Sequence, residues 1–84
     1  MNTPTSWRKS PFESGNKYRV LHDFKALRDN FKVDEVLVYT KDVYSIYDSC
    51  TGYLFSDANG ATRVWDVYDD DDLDRWAEHF VLLD

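Results

Sequence analysis

The tetrapeptide Asp57-Ala58-Asn59-Gly60 restricts the fold of this chain more than any other feature. Asn-Gly tolerates the positive φ that a tight hairpin turn requires, so the residues on either side are expected to pair. Residues 53–56 (Tyr-Leu-Phe-Ser) form the incoming strand. Residues 61–68 return beside it and carry Val64, Trp65 and Val67 as their apolar positions. Eighty-four residues suffice for one domain. A chain this short buries only about 60–65% of its unfolded surface, so its core must be dense. Three Trp, six Tyr and five Phe supply that density.

Further strands follow from alternation and β-branched or aromatic content. Residues 17–24 read as a first strand, with Tyr18, Val20 and His22 on one face. Residues 25–34 are mostly polar and read as an ordered excursion with room for one helical turn; Leu27, Phe31 and Val33 are its inward candidates. Residues 35–41 (Glu-Val-Leu-Val-Tyr-Thr-Lys) are the strongest strand. Residues 43–47 alternate and read as strand or strand approach, and residues 48–52 as a turn.

Toward the C-terminus, Leu73, Trp76, Ala77 and Phe80 recur at helical spacing and predict a short helix over about 70–80. The four consecutive acids before it suit a helix start, where carboxylates cap free N–H groups and complement the dipole. Residues 81–83 are an apolar end expected to pack back. Residues 1–16 read as a tail and residues 17–84 as a single β domain. Trp7 and Phe12 stand out in the tail, either pinned to the body or reserved for a partner.

The aromatic words carry a resemblance. Tyr18, Val20 and Phe24; Phe31, Glu35 and Leu37; Tyr47-Asp48; Tyr53-Leu54-Phe55; Trp65-Asp66; and Leu73, Trp76 and Phe80 together resemble a group of small bacterial and phage proteins of unknown function. The element order looks like a Src-homology-3-like barrel. The resemblance implies a mainly β fold, a small antiparallel barrel closed by one short C-terminal α-helix. It implies no catalytic residues. Signalling domains of that barrel class carry Ala-Leu-Tyr-x-Tyr after the first strand. Here the chain reads His22-Asp23-Phe24-Lys25-Ala26-Leu27, which speaks against proline-rich peptide binding.

Charge separates the two halves. Residues 1–41 hold eight basic and five acidic side chains; residues 42–84 hold two basic and eleven acidic. A half at −9 repels phosphate backbones and suits a basic protein partner. The single cysteine, Cys50, allows no intramolecular disulfide and favours a reducing, cytoplasmic setting. No apolar run follows Arg8-Lys9, so no secretory signal is read, and no stretch approaches the ~20 residues of a membrane span.

No constellation for catalysis or metal binding emerges, and no cofactor is expected. A calcium loop begun at Asp70, Asp72 and Asp74 would place Arg75 where Gly is required and Val81 where Glu is required. Cys50 with His22 or His79 lacks both a third orienting group and any short ligand spacing. The expected function is therefore non-enzymatic: a protein-interaction module, of the kind an immunity protein, inhibitor or phage counter-defence factor would be. Its candidate partner-binding residues are Tyr44, Tyr47, Asp48, Tyr53, Asp66, Tyr68, Asp69, Asp70, Asp71 and Asp72. The alternatives are a nucleic-acid mimic built from these acids, or a nucleic-acid-binding barrel using Arg8, Lys9, Lys17, Arg19, Lys25, Arg28 and Lys32. A monomer or weak homo-oligomer is expected.

Overall fold

A computed structural model describes residues 10–83, which form seven β-strands and one short α-helix. The strands are β1 (Lys17–Val20), β2 (Phe24–Lys25), β3 (Asn30–Phe31), β4 (Val36–Ser45), β5 (Cys50–Ser56), β6 (Thr62–Tyr68) and β7 (Phe80–Leu83). The helix α1 is Trp76–His79, preceded by a 3-10 turn at Leu73–Arg75.

One antiparallel sheet runs in the order β6-β5-β4-β1-β7, and β2 and β3 form a separate two-stranded ribbon. Strands β6 and β7 are the two edges. No ladder joins them among the described residues, so the sheet is open and the fold is mainly β without ladder closure. The Asp57–Gly60 turn forms as its sequence requires. Asp57 N–H donates to the Ala61 carbonyl at 3.0 Å, Gly60 N–H donates to the Asp57 carbonyl, and Gly60 takes φ 79°.

Two segments read separately, residues 35–41 and 43–47, are one ten-residue strand. Its register against β5 shifts between Tyr39 and Lys41, which leaves Thr40 as the extra residue of a β-bulge. A bulge increases local twist and bends its strand, so β4 can serve both β1 and β5 around a core. The Thr40 hydroxyl donates to the Leu54 carbonyl at 2.9 Å across this irregularity. The residues read as a turn at 50–52 already belong to β5; the loop is residues 46–49, with Ser49 at φ 51°.

The core is aromatic, and Phe12 is at its centre. Its ring lies 5.1–5.9 Å from those of Tyr18, Tyr39, Tyr53, Phe55, Trp65, Trp76 and Phe80. Residues 10–16, read as tail, are thus packed onto the body. Gly15 N–H donates to the Tyr39 carbonyl and Tyr39 N–H to the Asn16 carbonyl, extending the β1–β4 ladder backwards. Trp7 lies outside the described residues, as do Arg8 and Lys9.

The C-terminal helix is shorter than its periodicity predicts. It ends at His79, and Phe80 opens β7, which pairs with β1 from Val20↔Phe80 to Lys17↔Leu83. Phe80 is fully buried, Leu73 and Trp76 pack on the core while half-buried, and Ala77 is exposed. The backbone leaves the helix because residues 80–83 gain a full strand pairing, which outweighs one more helical turn. In the excursion, Phe31 is buried as expected but Leu27, at the turn of the two-stranded ribbon, and Val33, in the turn that follows it, are exposed. His22 likewise faces outward.

Edge strand β6 has a protected outer side. Its hairpin register sets Thr62, Val64, Asp66 and Tyr68 with their N–H groups away from β5. Val64 N–H donates to Asp29 Oδ2 at 3.2 Å and Tyr68 N–H to Asp71 Oδ2 at 3.1 Å. No helix among the described residues is long and apolar enough to cross a membrane.

Candidate interaction surface

The β4–β5 turn and the exit of β6 lie together at one end of the sheet. Asp69 N–H donates to the Ser49 carbonyl at 2.8 Å, continuing the β5–β6 ladder past Cys50↔Tyr68. The Tyr44 hydroxyl donates to Asp69 Oδ2 at 2.7 Å. Tyr44, Tyr47, Asp48, Tyr68 and Asp69 are therefore neighbours in space, although the chain separates Tyr44 from Asp69 by 25 residues. The tip of this end is apolar: Ile46 is 72% exposed and Tyr47 96% exposed. Asp48 stands beside them, its carboxylate accepting from the Ser45 hydroxyl at 3.0 Å.

The acid run divides by role. Asp69 holds Tyr44, and its Oδ1 is buried without a hydrogen bond among the described residues. Asp71 caps Tyr68 N–H. Asp72 caps the 3-10 turn, accepting from Asp74 N–H at 3.0 Å. Asp70 is exposed. A groove of about 330 Å³ runs between the run and the sheet, lined by Trp65, Asp66, Val67, Asp70, Asp71, Asp72, Arg75 and His79.

Two expected contact residues are placed elsewhere. Tyr53 is completely buried; alternation along β5 turns it inward, where it packs on Phe12 and Trp65. It is a core residue and leaves the list of surface contacts. Asp66 has a side chain only 3% exposed and is held in a two-pronged pair by Arg28, at 2.7 and 2.8 Å. Gly52 makes room for that pair, since a Cβ there would stand 3.2 Å from both Arg28 Nη2 and Asp66 Oδ1. Arg28, one of the basic residues of the nucleic-acid alternative, is paired with this carboxylate.

A second groove, of about 360 Å³, lies on the other side of Asp66 and is lined by Leu27, Arg28, Val43, Ser45, Asp48, Cys50, Gly52 and Asp66. Leu27 is 59% exposed at its rim. Cys50 is buried there. Burial and the nearby Asp66 charge push its thiol up to about 11, so at neutral pH it is a thiol and a poor nucleophile. No group of three or more His, Cys, Asp or Glu among the described residues could hold a metal ion.

Sequence reasoning missed Ile46, which it counted as part of a strand, and Leu27, which it turned inward. The available signal was Ile46-Tyr47 set directly between Ser45 and Asp48-Ser49, an apolar pair inside a polar turn. It also missed the contact between His22 and His79, whose rings approach with His79 Nδ1 at 3.0 Å from His22 Nε2.

No family model matches the sequence, and no curated protein matches it. Among solved structures, the fold is similar to an integron cassette protein from the mobile metagenome of Vibrio cholerae. The TM-score is 0.75 over 94% of this chain and 93% of that one, at 18% sequence identity. At that identity the likeness establishes the fold alone.

Proposed function

We propose that the chain is a non-enzymatic protein-interaction module of the cytoplasm. Its contact surface is the hairpin tip Ile46-Tyr47 with Asp48 beside it, and Asp70 follows Asp69, the residue that anchors this loop. The observation that carries this is the tip itself. Two large apolar side chains stand in solvent on a short loop whose backbone is tied to Asp69. Exposed apolar groups rimmed by polar ones mark contact sites, and Tyr is enriched among the residues that dominate interface energy. The flanking carboxylates favour a partner with a basic surface and act mainly on the rate of encounter. An immunity protein, inhibitor or phage counter-defence factor fits these properties. The cassette origin of the similar fold suits such an accessory role, and the aromatic words fit a partly open Src-homology-3-like barrel of the small bacterial and phage group.

The test places a photo-crosslinking residue at Tyr47 and, as a control, at the exposed Lys17 on β1, and identifies captured proteins from the native host. A partner captured at position 47 only, bound at least ten-fold more weakly by Tyr47→Ser and associating more slowly in high salt, supports the proposal. Equal capture from both positions, or undiminished binding by Tyr47→Ser, overturns it.

A further inference from the structure

His22 follows β1 and His79 ends α1. The backbone brings them together, because Leu21 N–H donates to the His79 carbonyl at 2.8 Å. The rings are then oriented from outside. His22 Nδ1 lies 3.0 Å from the Asp23 carbonyl, which can only accept. His22 must therefore carry its proton on Nδ1, which leaves a lone pair on Nε2. That Nε2 accepts from His79 Nδ1–H at 3.0 Å, and a bound ion would take the place of this shared proton. The His79 ring is stacked on Phe24 at 4.3 Å between centroids and met edge-on by Trp65 at 5.7 Å.

From this convergence we infer that His22 Nε2 and His79 Nδ1 form a two-ligand binding site for a divalent transition-metal ion of the zinc class. Imidazole nitrogens suit zinc, with bonds of about 2.0–2.1 Å in a tetrahedral arrangement, so the two ligand atoms should stand roughly 3.3 Å apart. The observed separation needs to open by only a few tenths of an ångström. A ligating His also typically donates its other ring N–H to a carbonyl or carboxylate, which fixes its tautomer, and His22 does this with Asp23. Glu78, next in the chain to His79, is engaged by Arg75 at 3.0 Å, and the remaining coordination positions go to water.

The test titrates zinc alone into the full chain by calorimetry and follows both imidazoles by long-range nitrogen–proton NMR. One saturable ion per chain is expected, bound through Nε2 of His22 and Nδ1 of His79. His22→Gln should abolish binding and, because His22 is exposed, should leave the fold intact by amide spectra. The doubly changed Asp70→Asn/Asp72→Asn chain and the Cys50→Ser chain should bind as well as the unaltered one. Binding that survives His22→Gln, loss of binding in the carboxylate or cysteine variants, or no saturable binding at millimolar zinc would overturn the inference.

Discussion

The two hairpin ends of β4, β5 and β6 treat their carboxylates in opposite ways. Near the Asp57–Gly60 turn, Arg63 gathers Asp29, Glu35 and Asp57, at 3.0, 2.5 and 3.7 Å, and also donates to the Asn30 carbonyl. Its side chain is only 13% exposed and its guanidinium lies 5.0 Å from the centre of the Phe31 ring. At the other end, Asp48 and Asp69 lie beside two exposed apolar side chains, and Asp70, Asp71 and Asp72 line a groove against the sheet. Among the described residues, the one arginine or lysine lining that groove is Arg75, which Glu78 already holds. Net charge per half of the chain is therefore a poor guide to potential. The position of one well-placed arginine decides whether three acids cement the fold or whether a similar number project a field into solvent.

The largest way to sharpen this contrast is Arg63→Met, which keeps an apolar stem over Phe31 and removes the charge. Three carboxylates would then converge without a counter-ion, and a loss of roughly 2–4 kcal/mol is expected in denaturant unfolding, somewhat below the range for fully buried pairs. The pH dependence should change sign as well. Burial alone would raise the Asp29 pKa, but hydrogen bonds from Arg63 and from the Val64 and Asn30 amides outweigh it and hold the carboxyl below its ordinary value. A depressed carboxylate stabilises the fold above its unfolded pKa near ~4, and that stabilisation disappears as pH falls through the lower folded value. In Arg63→Met, burial prevails and acid should no longer cost stability at this site. Parallel acid limbs for the two proteins, measured by denaturation between about pH 5 and 2, would sink the assignment.

The opposite end should be energetically silent in the isolated chain. Ile46→Ser with Tyr47→Ser is expected to move unfolding free energy by less than about 0.5 kcal/mol, as for surface positions away from special features. A loss above about 2 kcal/mol would mean that the tip supports the fold and is not held out for a partner.

How much of this could be read from the sequence depended on the range of the forces involved. The Asp57–Gly60 hairpin was legible because Asn-Gly decides a turn locally. The strand at Val36–Ser45 was legible in two pieces, since a bulge at Thr40 breaks alternation without ending the strand. Helical spacing at Leu73, Trp76 and Phe80 was real but over-extended, because the pairing of Phe80 with Val20 is a long-range contact that local periodicity does not register. Tyr53 failed as a surface residue for a related reason: aromatic type says nothing about which face of the pleat it occupies. Arg28 with Asp66 and His22 with His79 are 38 and 57 residues apart, so no spacing rule could find them. Phe12 was visible as an anomaly in a polar segment, but its place at the centre of the core follows only from the assembled fold.

Strand β6 is an open edge whose outward donors are met by ionised side chains, at Val64 by Asp29 and at Tyr68 by Asp71. A bare strand edge is a template on which another molecule's strand can grow, and natural edges are guarded against it. Here the guard is itself titratable, since a protonated carboxyl is a weaker acceptor for an amide. Colloidal stability and conformational stability are then governed by different subsets of the same acids. In an acid titration, light scattering should rise before circular dichroism reports loss of strand; scattering that appears only after unfolding would show that the edge needs no such guard.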